Sequence, residues 1–315
     1  LACAYMSPEE IAKSVEKVNL LTSRPYAINL FAPTQTPSAP IASPDQIESA
    51  RAITKAYRAE LQLPEPPLTS PFHPNFDDQF DIVLKLSPAV LSFVFGTLEA
   101  KHMEACRNRG ILTMGAATTL EEARALEAAG VSYIVAQGTE AGGHRALFST
   151  DDDEPGVSTE DLTKELLSNL KTPIIAAGGI MTGEDLAKFI KLGASAVQMG
   201  TAFLLAHEAA TSKPYRELIL HSERTPELTR AFSGRLARGL PNRFQDEMKA
   251  APHGVLPFPI QNAFTRDLRK KSAEVGSPDF ISAWAGLGVS KIRNGFSSVE
   301  LLHQFEKEAL ATLKP

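Results

Sequence analysis

The 315-residue chain carries 32 Lys and Arg against 37 Asp and Glu, a formal net charge of −5, and 43% of its residues are hydrophobic. This balance is typical of a soluble globular protein and excludes a disordered chain, a collagen and a small disulfide-stapled domain. Because charges of both signs are interspersed, the pattern excludes nucleic acid and anionic membranes as partners and favours small molecules or other chains, including a possible homodimer.

The cysteines and the start of the chain bear on its compartment. Cys3 and Cys106 match no disulfide framework or metal-ligand spacing, so we expect packing residues in a reducing compartment, the cytoplasm. No apolar run approaches the roughly 20 residues of a membrane helix. Residues 1–5 contain no basic leader, so neither a signal peptide nor a lipid anchor is expected, and the chain looks cut from a longer one.

Helix and strand signals alternate from the beginning of the chain. Ser7, Pro8 and Glu10 are typical of a helix start with a capping box, and apolar residues follow at helical spacing. Residues 26–31 and 90–95 predict buried strands. Between these strands, residues 33–80 include nine prolines and a predicted helix from about 45 to 61, so we expect an excursion from the core, either a lid or surface padding.

Four more strands are predicted in a regular rhythm, at residues 111–116, 132–137, 173–177 and 195–199. Thr119 and Thr182 begin the intervening helices, and Gly130 and Gly193 end them. Strands of near-continuous Ile, Val and Ala are typical of parallel strands covered by helices on both faces, which predicts an α/β protein. A closed barrel of eight strands needs two more than these six candidates, and an open doubly wound sheet is the alternative. The residues after Met199 are mostly helical in pattern.

Glycine-containing turns directly follow the last three predicted strands, and this edge is where α/β proteins bind ligands. Gly179, Gly200 and Thr201 are therefore candidates for holding a phosphate, with a helix predicted to start near Thr201. A need for a tight turn would by itself explain one glycine-containing turn between a strand and a helix. Two such turns in succession favour phosphate binding. No G-x-G-x-x-G motif opens a unit, so a mononucleotide fits better than a dinucleotide.

His144 is the histidine whose setting suggests chemistry, because it follows Gly142 and Gly143 on a strand-end loop. A neutral imidazole can take up a proton near physiological pH. A surface histidine, or one bonded to the backbone, is the alternative. The other histidines share no metal-ligand or triad spacing, so we predict no metal site.

Several blocks of sequence resemble the signature blocks of the nitronate monooxygenases, formerly called 2-nitropropane dioxygenases. They are residues 136–145, 176–180 and 193–204, with weaker blocks at 29–31, 92–96 and 284–288. The resemblance covers nearly the whole chain and implies a (β/α)8 TIM-type barrel with a smaller helical cap domain. The family's first strand is absent, and residues 1–5 resemble the end of the second. The implied division is a barrel domain over 1–210, a cap over 211–278, and C-terminal helices over 279–315 that return to the barrel.

The resemblance further implies an FMN-dependent enzyme that denitrifies alkyl nitronates, such as propionate 3-nitronate, oxidatively with O2. Matching positions would contact the flavin at Asn29, Gln137, Gly142, Gly179, Gln198, Met199, Gly200 and Thr201. His144 matches a histidine beside the flavin, where it would deprotonate neutral nitroalkanes or help to hold the nitronate. Ala146 and Leu287 depart from the family pattern.

Two alternatives compete with this function. An FMN-dependent enoyl-acyl-carrier-protein reductase would share the barrel, but that family usually has Glu at the position of Gln137 and Ile at that of Arg145. A truncated relative without catalytic activity is the second alternative. Arg235 and Arg243, in the expected cap, would lie on a solvated face or would attract an anionic substrate.

Overall fold

The structure, a computed structural model, describes residues 1–33, 42–150 and 153–314. Its α-helices are α1 (Pro8–Leu21), α2 (Pro44–Glu60), α3 (Phe76–Leu86), α4 (Ala100–Asn108), α5 (Leu120–Ala129), α6 (Thr159–Asn169), α7 (Gly183–Leu192), α8 (Lys213–His221), α9 (Arg243–Lys249), α10 (Ile260–Glu274) and α11 (Ser298–Leu313). Its strands are β1 (Ala27–Phe31), β2 (Val90–Val94), β3 (Leu112–Ala117), β4 (Tyr133–Gln137), β5 (Gly143–His144), β6 (Ile174–Ala177), β7 (Ala196–Gln198), β8 (Glu227–Thr229) and β9 (Ala237–Gly239).

Six strands form one parallel sheet in the order β1-β2-β3-β4-β6-β7. This order follows the chain without reversal. A doubly wound sheet reverses its strand order at a switch point, so the sequential order identifies a barrel-type sheet instead. The predicted α/β class and the six predicted strands are confirmed.

The start of the chain extends this sheet beyond β1. Ala2 pairs with Asn29 in a parallel bridge, with Cys3 N donating to Asn29 O at 3.0 Å and Asn29 N donating to Leu1 O at 2.8 Å. Residues 1–3 therefore occupy the next strand position, as expected for the end of a strand. In the part of the chain that the structure describes, no strand joins this position to β7, so the sheet is an open arc of a barrel.

Local signals in the sequence account for the helix boundaries around this sheet. Ser7 and Thr182 both form the predicted capping boxes, and Gly130 ends α5 with φ of 81°. Ile28 and Leu91 are fully buried beneath the helices. These two residues are partners in the register of β1 and β2, so apolar burial on the helix-facing side of the sheet holds these strands in place.

The two helices between β1 and β2 pack in different places. α2 packs its Tyr57 against Phe244 and Phe280 in a second hydrophobic cluster, separate from the main core, and α3 packs its Val83 into the main core beside the sheet. The interpretation of residues 33–80 as an excursion that forms a lid or surface padding stays a prediction. Much of the loop that precedes α2, residues 34–41, lies outside the described part of the chain.

The region after β7 differs from the predicted helical pattern. The helix expected near Thr201 is a three-residue 3-10 helix, Thr201–Phe203, and α8 begins only at Lys213. β8 and β9, which were not predicted, form an antiparallel sheet with β5 in the order β5-β9-β8. Each has only three residues, too few for a recognisable alternation of polar and apolar side chains.

Two further expectations concern single side chains and the membrane. Cys3 and Cys106 are both free and buried, as expected for packing residues. Within the described ranges, no helix combines the length and the apolar character needed to cross a bilayer.

Gly183→Ala should weaken the packing of α11 against α7. An ideal Cβ on Gly183 would lie 2.0 Å from Phe305 O and 2.8 Å from Ala309 N, both backbone atoms that cannot move aside alone. We expect the free energy of unfolding in urea to fall by about 1–3 kcal/mol, as for other overpacked sites. Glu184→Ala, at the exposed next position, is the control. An equal effect of both variants would contradict the packing argument.

Candidate functional site

A cavity opens at the carboxyl edge of the parallel sheet. It encloses about 750 Å³ of space that is continuous with the solvent. All eight positions predicted to contact a flavin line this one cavity: Asn29, Gln137, Gly142, Gly179, Gln198, Met199, Gly200 and Thr201. Residues 170 positions apart in sequence are thus brought together by the strand order, although their contact with a cofactor stays a prediction.

Backbone amides are available at one end of the cavity. Within the described part of the chain, the N–H groups of Gly179, Gly200 and Thr201 donate no hydrogen bond. A Cβ on Gly200 would meet no atom within 4 Å, so the space in front of this turn is open. Unused N–H groups beside open space can bind an anion such as a phosphate. The Thr201 hydroxyl is engaged differently, because it accepts from Gly286 N at 3.0 Å.

Gly142 joins two walls of the cavity by close backbone contact. A Cβ at this position would lie 2.3 Å from Gly286 N and 2.4 Å from the Ala285 carbonyl carbon, so only glycine permits the approach. Leu287 N also donates to Glu140 O at 3.0 Å. The turn after β4 and the segment 284–288, both recognised in the sequence, therefore form a single wall.

The Gln137 amide organises the turn between β4 and β5. Its Nε2 donates to His144 O at 3.0 Å, and its Oε1 accepts from Arg145 Nη1 at 2.7 Å and from Ala146 N at 2.8 Å. Arg145 is only 1% exposed and pairs with Glu154 through Nε and Nη2. The sequence pointed to Arg145 only as a mark of the family, whereas the structure makes it the anchor of this turn.

His144 does not line the cavity but lies beside it on β5. It pairs with Ala237 of β9, and its ring centroid is 6.0 Å from that of Phe95 and 5.5 Å from that of Trp284. Its Nε2 is 2.8 Å from Ser233 Oγ. Aromatic rings thus shield the imidazole, and a single hydroxyl contacts it.

Burial lowers the pKa of His144 to about 3, and the positive charges of Arg235 and Arg269 add to this effect. Desolvation and nearby cations both disfavour the imidazolium, so the ring is neutral at physiological pH. Arg235 is only 4% exposed, and its guanidinium carbon lies 3.7 Å from the centroid of Phe95. The expectation of a solvated face is therefore wrong for Arg235. It holds for Arg243, which forms exposed ion pairs.

Sequence reasoning missed three residues around His144. Phe95 and Trp284 belong to blocks that carried the family resemblance. The sequence therefore marked both residues, but it did not indicate that they pack around His144. Ser233 gave no signal, because its contact with His144 spans 89 positions and depends on the unpredicted pairing of β5 with β9. The histidine outside the site with a clear role is His102, whose Nε2 lies 2.9 Å from Asp77 Oδ1. In the described ranges no group of side chains has the make-up of a metal site.

Comparisons with known proteins agree on one family. The family model described as nitronate monooxygenase matches residues 1–308. The chain is 35% identical over 289 residues to a "Probable nitronate monooxygenase" of Staphylococcus haemolyticus, covering 91% of this chain and 80% of that protein. A second protein so described, from Staphylococcus saprophyticus, is 34% identical over 312 residues, covering 98% and 86%. The solved nitroalkane oxidase from Streptomyces ansochromogenes superposes with a TM-score of 0.89 at 31% identity, covering 99% of this chain and 88% of that one.

His144→Asn should change how stability depends on pH. The pKa of His144 is about 3 in the folded protein and about 6.5 in the unfolded chain. Between these two pH values His144 binds a proton only in the unfolded chain. This residue therefore lowers the free energy of unfolding by about 1.4 kcal/mol for each unit by which the pH falls. Urea unfolding between pH 6 and 4 should show this slope reduced by that amount in the variant.

The exposed His303 provides the control for this measurement. His303→Asn should keep the slope of the parent protein. Identical slopes for the parent and for His144→Asn would mean that the imidazole titrates normally and is not shielded.

Proposed function

Because this chain belongs to the nitronate monooxygenase family, we propose that it catalyses the FMN-dependent oxidative denitrification of alkyl nitronates, such as propionate 3-nitronate, with O2. The chain is an oxidoreductase of a flavin-dependent family that oxidises nitro compounds. The choice of FMN, of nitronates and of O2 is the proposal. The observation that carries it is the convergence of eight expected flavin contacts on one cavity.

The residues present fit an FMN molecule. The amides of Gly179, Gly200 and Thr201 would hold its phosphate, since they have no other acceptor among the described residues and the space beside Gly200 is open. Elsewhere in the cavity lining, Asn29 Nδ2 donates to Ser92 Oγ at 3.1 Å and Gln137 adds a further amide, and these polar groups would be available to a flavin ring. A single cluster of unused amides suits one phosphate and therefore a mononucleotide. When bound, FMN supplies the electron transfer between nitronate and O2.

The surroundings of His144 suit an anionic, planar substrate. The positive charges of Arg235 and Arg269 reach the imidazole strongly enough to lower its pKa, and the same field attracts a nitronate. Phe95 and Trp284 shield the ring and limit the access of water. We propose that His144 is the catalytic residue, as the base for neutral nitroalkanes or as the group that orients the nitronate.

We propose the domain division suggested by the sequence, with a barrel over 1–210, a cap over 211–278 and a C-terminal return over 279–315. Two observations support a cap close to the site. β8 and β9 attach to the barrel through β5, which carries His144. α9 and α10 pack with α2 in clusters separate from the main core.

The contacts of Gln137 favour this function over an enoyl-acyl-carrier-protein reductase. Gln137 Nε2 donates to the carbonyl of His144 while Oε1 accepts from Arg145. The Glu usual in the reductases is ionised at neutral pH and has no hydrogen to donate to that carbonyl. The turn that holds His144 here thus depends on the residue that distinguishes the two families.

Anaerobic reduction of the bound flavin tests the function directly. Propionate 3-nitronate added to the purified full chain should bleach the visible flavin absorbance, and NADH should not. Mass analysis of the released cofactor should identify FMN. Rapid bleaching by NADH with none by the nitronate would favour the reductase instead. A colourless protein that FMN cannot reconstitute would remove the cofactor from the proposal.

Gly200→Val should weaken FMN binding without weakening the fold. A side chain here would fill the open space in front of the unused amides while meeting no protein atom within 4 Å at its Cβ. We expect the Kd for FMN to rise about tenfold or more, a loss of about 1.4 kcal/mol or more. Fluorescence titration of the apoprotein measures this, and urea unfolding of the apoprotein serves as the control. The smaller Gly200→Ala should give an intermediate Kd, and unchanged FMN affinity in both variants would place the phosphate elsewhere.

A further inference from the structure

We propose that Ser233 is a positioning residue that holds His144 in the tautomer with its hydrogen on Nε2, so that Nδ1 offers a lone pair to the substrate. The proposal rests on the proposed function for the role of His144 in the reaction. It goes beyond that function because it selects one ring nitrogen and assigns a task to a residue 89 positions away.

The hydrogen bonds of Ser233 determine where the imidazole hydrogen lies. Ser233 Oγ is 3.1 Å from Arg235 O, 3.2 Å from Arg235 N and 2.8 Å from His144 Nε2. A carbonyl oxygen only accepts, so the single hydroxyl hydrogen goes to Arg235 O. Both lone pairs of Oγ then accept, one from Arg235 N and one from His144. His144 must therefore carry its hydrogen on Nε2.

The rest of the site keeps the ring neutral and its backbone fixed. Burial and the charges of Arg235 and Arg269 oppose a second ring proton, so only one nitrogen carries hydrogen. The His144 carbonyl accepts from Gln137, and Arg145 N donates to Leu236 O at 2.9 Å. The main chain of His144 is thus held by hydrogen bonds on both sides, and its imidazole contacts Ser233 through Nε2. Among the described residues, Nδ1 has no hydrogen-bond partner.

This tautomer favours one of the two tasks considered for His144. A bare Nδ1 can accept a proton but cannot donate a hydrogen bond to a nitronate oxygen. In the step that it suits, the C–H bond next to the nitro group breaks and its electron pair moves into the nitro group, forming the nitronate. The proton passes to Nδ1, where the negative charge of the nitronate formed beside it offsets the burial and the cations that oppose the imidazolium in the free protein. The resulting imidazolium keeps its Nε2–H bond to Ser233, so no proton needs to be rearranged during the step.

Ser233→Ala removes the acceptor that selects the tautomer, and it permits a direct spectroscopic test. The nitrogen NMR spectrum of the 15N-histidine-labelled protein should show His144, assigned by loss of its signals in His144→Asn, with hydrogen on Nε2. In Ser233→Ala the signals should move toward a mixture of tautomers. Ser233→Thr, which keeps a hydroxyl, should restore the parent pattern.

Kinetics provide the second readout. In Ser233→Ala we expect kcat for nitroethane to fall about tenfold or more, toward the value for His144→Asn, because loss of base alignment affects proton transfer. The KM and kcat for preformed propionate 3-nitronate should change by less than about threefold, since no proton is removed from it.

Ser272→Ala is a matched control for loss of a buried hydroxyl. Like Ser233, Ser272 is buried, donates to a backbone carbonyl, that of Ser277 at 2.9 Å, and accepts from a backbone N–H, that of Phe280 at 3.2 Å. No contact with a histidine is found for it in the described part of the chain. Ser272→Ala should leave both the His144 signals and the ratio of nitroethane to nitronate activity unchanged.

The outcomes separate this proposal from the proposed function. Hydrogen on Nδ1 in the parent protein, or an unchanged tautomer in Ser233→Ala, overturns the role of Ser233 whatever the activity. If Ser233→Ala does not fold, the parent tautomer and Ser233→Thr still decide the question. The Nε2–H tautomer in a protein that oxidises no nitronate would instead support the positioning role and reject the proposed function.

Discussion

The side-chain amide of Gln137 is the contact on which the rest of the site depends. It lines the cavity, donates to the main chain of His144, and accepts from Arg145, which is buried and is itself held by the half-buried carboxylate of Glu154. Removing the partner of a buried charge leaves that charge uncompensated and is strongly destabilising, so the turn is held firmly. The cavity wall and the position of the imidazole are therefore set by one network.

The site has two regions that differ in the source of their positive potential. In one region, backbone N–H groups at glycine turns give the positive potential that a phosphate requires, and among the described residues no cationic side chain lines the cavity. Around His144, buried guanidinium groups and aromatic rings produce a positive, poorly hydrated environment. Under the proposed function, this separation would let the protein bind the FMN phosphate through its backbone and leave the side-chain charges for the substrate.

The sequence predicted what depends on neighbouring residues. Helix caps such as Thr182 and Gly193 act within one turn of their helix, and strands of continuous apolar residues are recognisable alone, so these elements were found at nearly their true positions. Gly200 was found because two successive strands are each followed directly by glycine, and Gly142 was found through the family resemblance. β9, the burial of Arg235 and the contact of Ser233 could not be found, since each depends on pairing between distant segments.

The two-residue strand β5 has a mechanical consequence. It lies between the turn anchored by Gln137 and the antiparallel partner β9, so His144 belongs to the barrel through one set of hydrogen bonds and to the 227–239 hairpin through another. Because β5 is hydrogen-bonded to β9, a rigid displacement of that hairpin would also displace the main chain of His144 and its imidazole. If His144 acts as the proposed base, a displacement of the hairpin would therefore change the alignment of that base as well as the position of the hairpin.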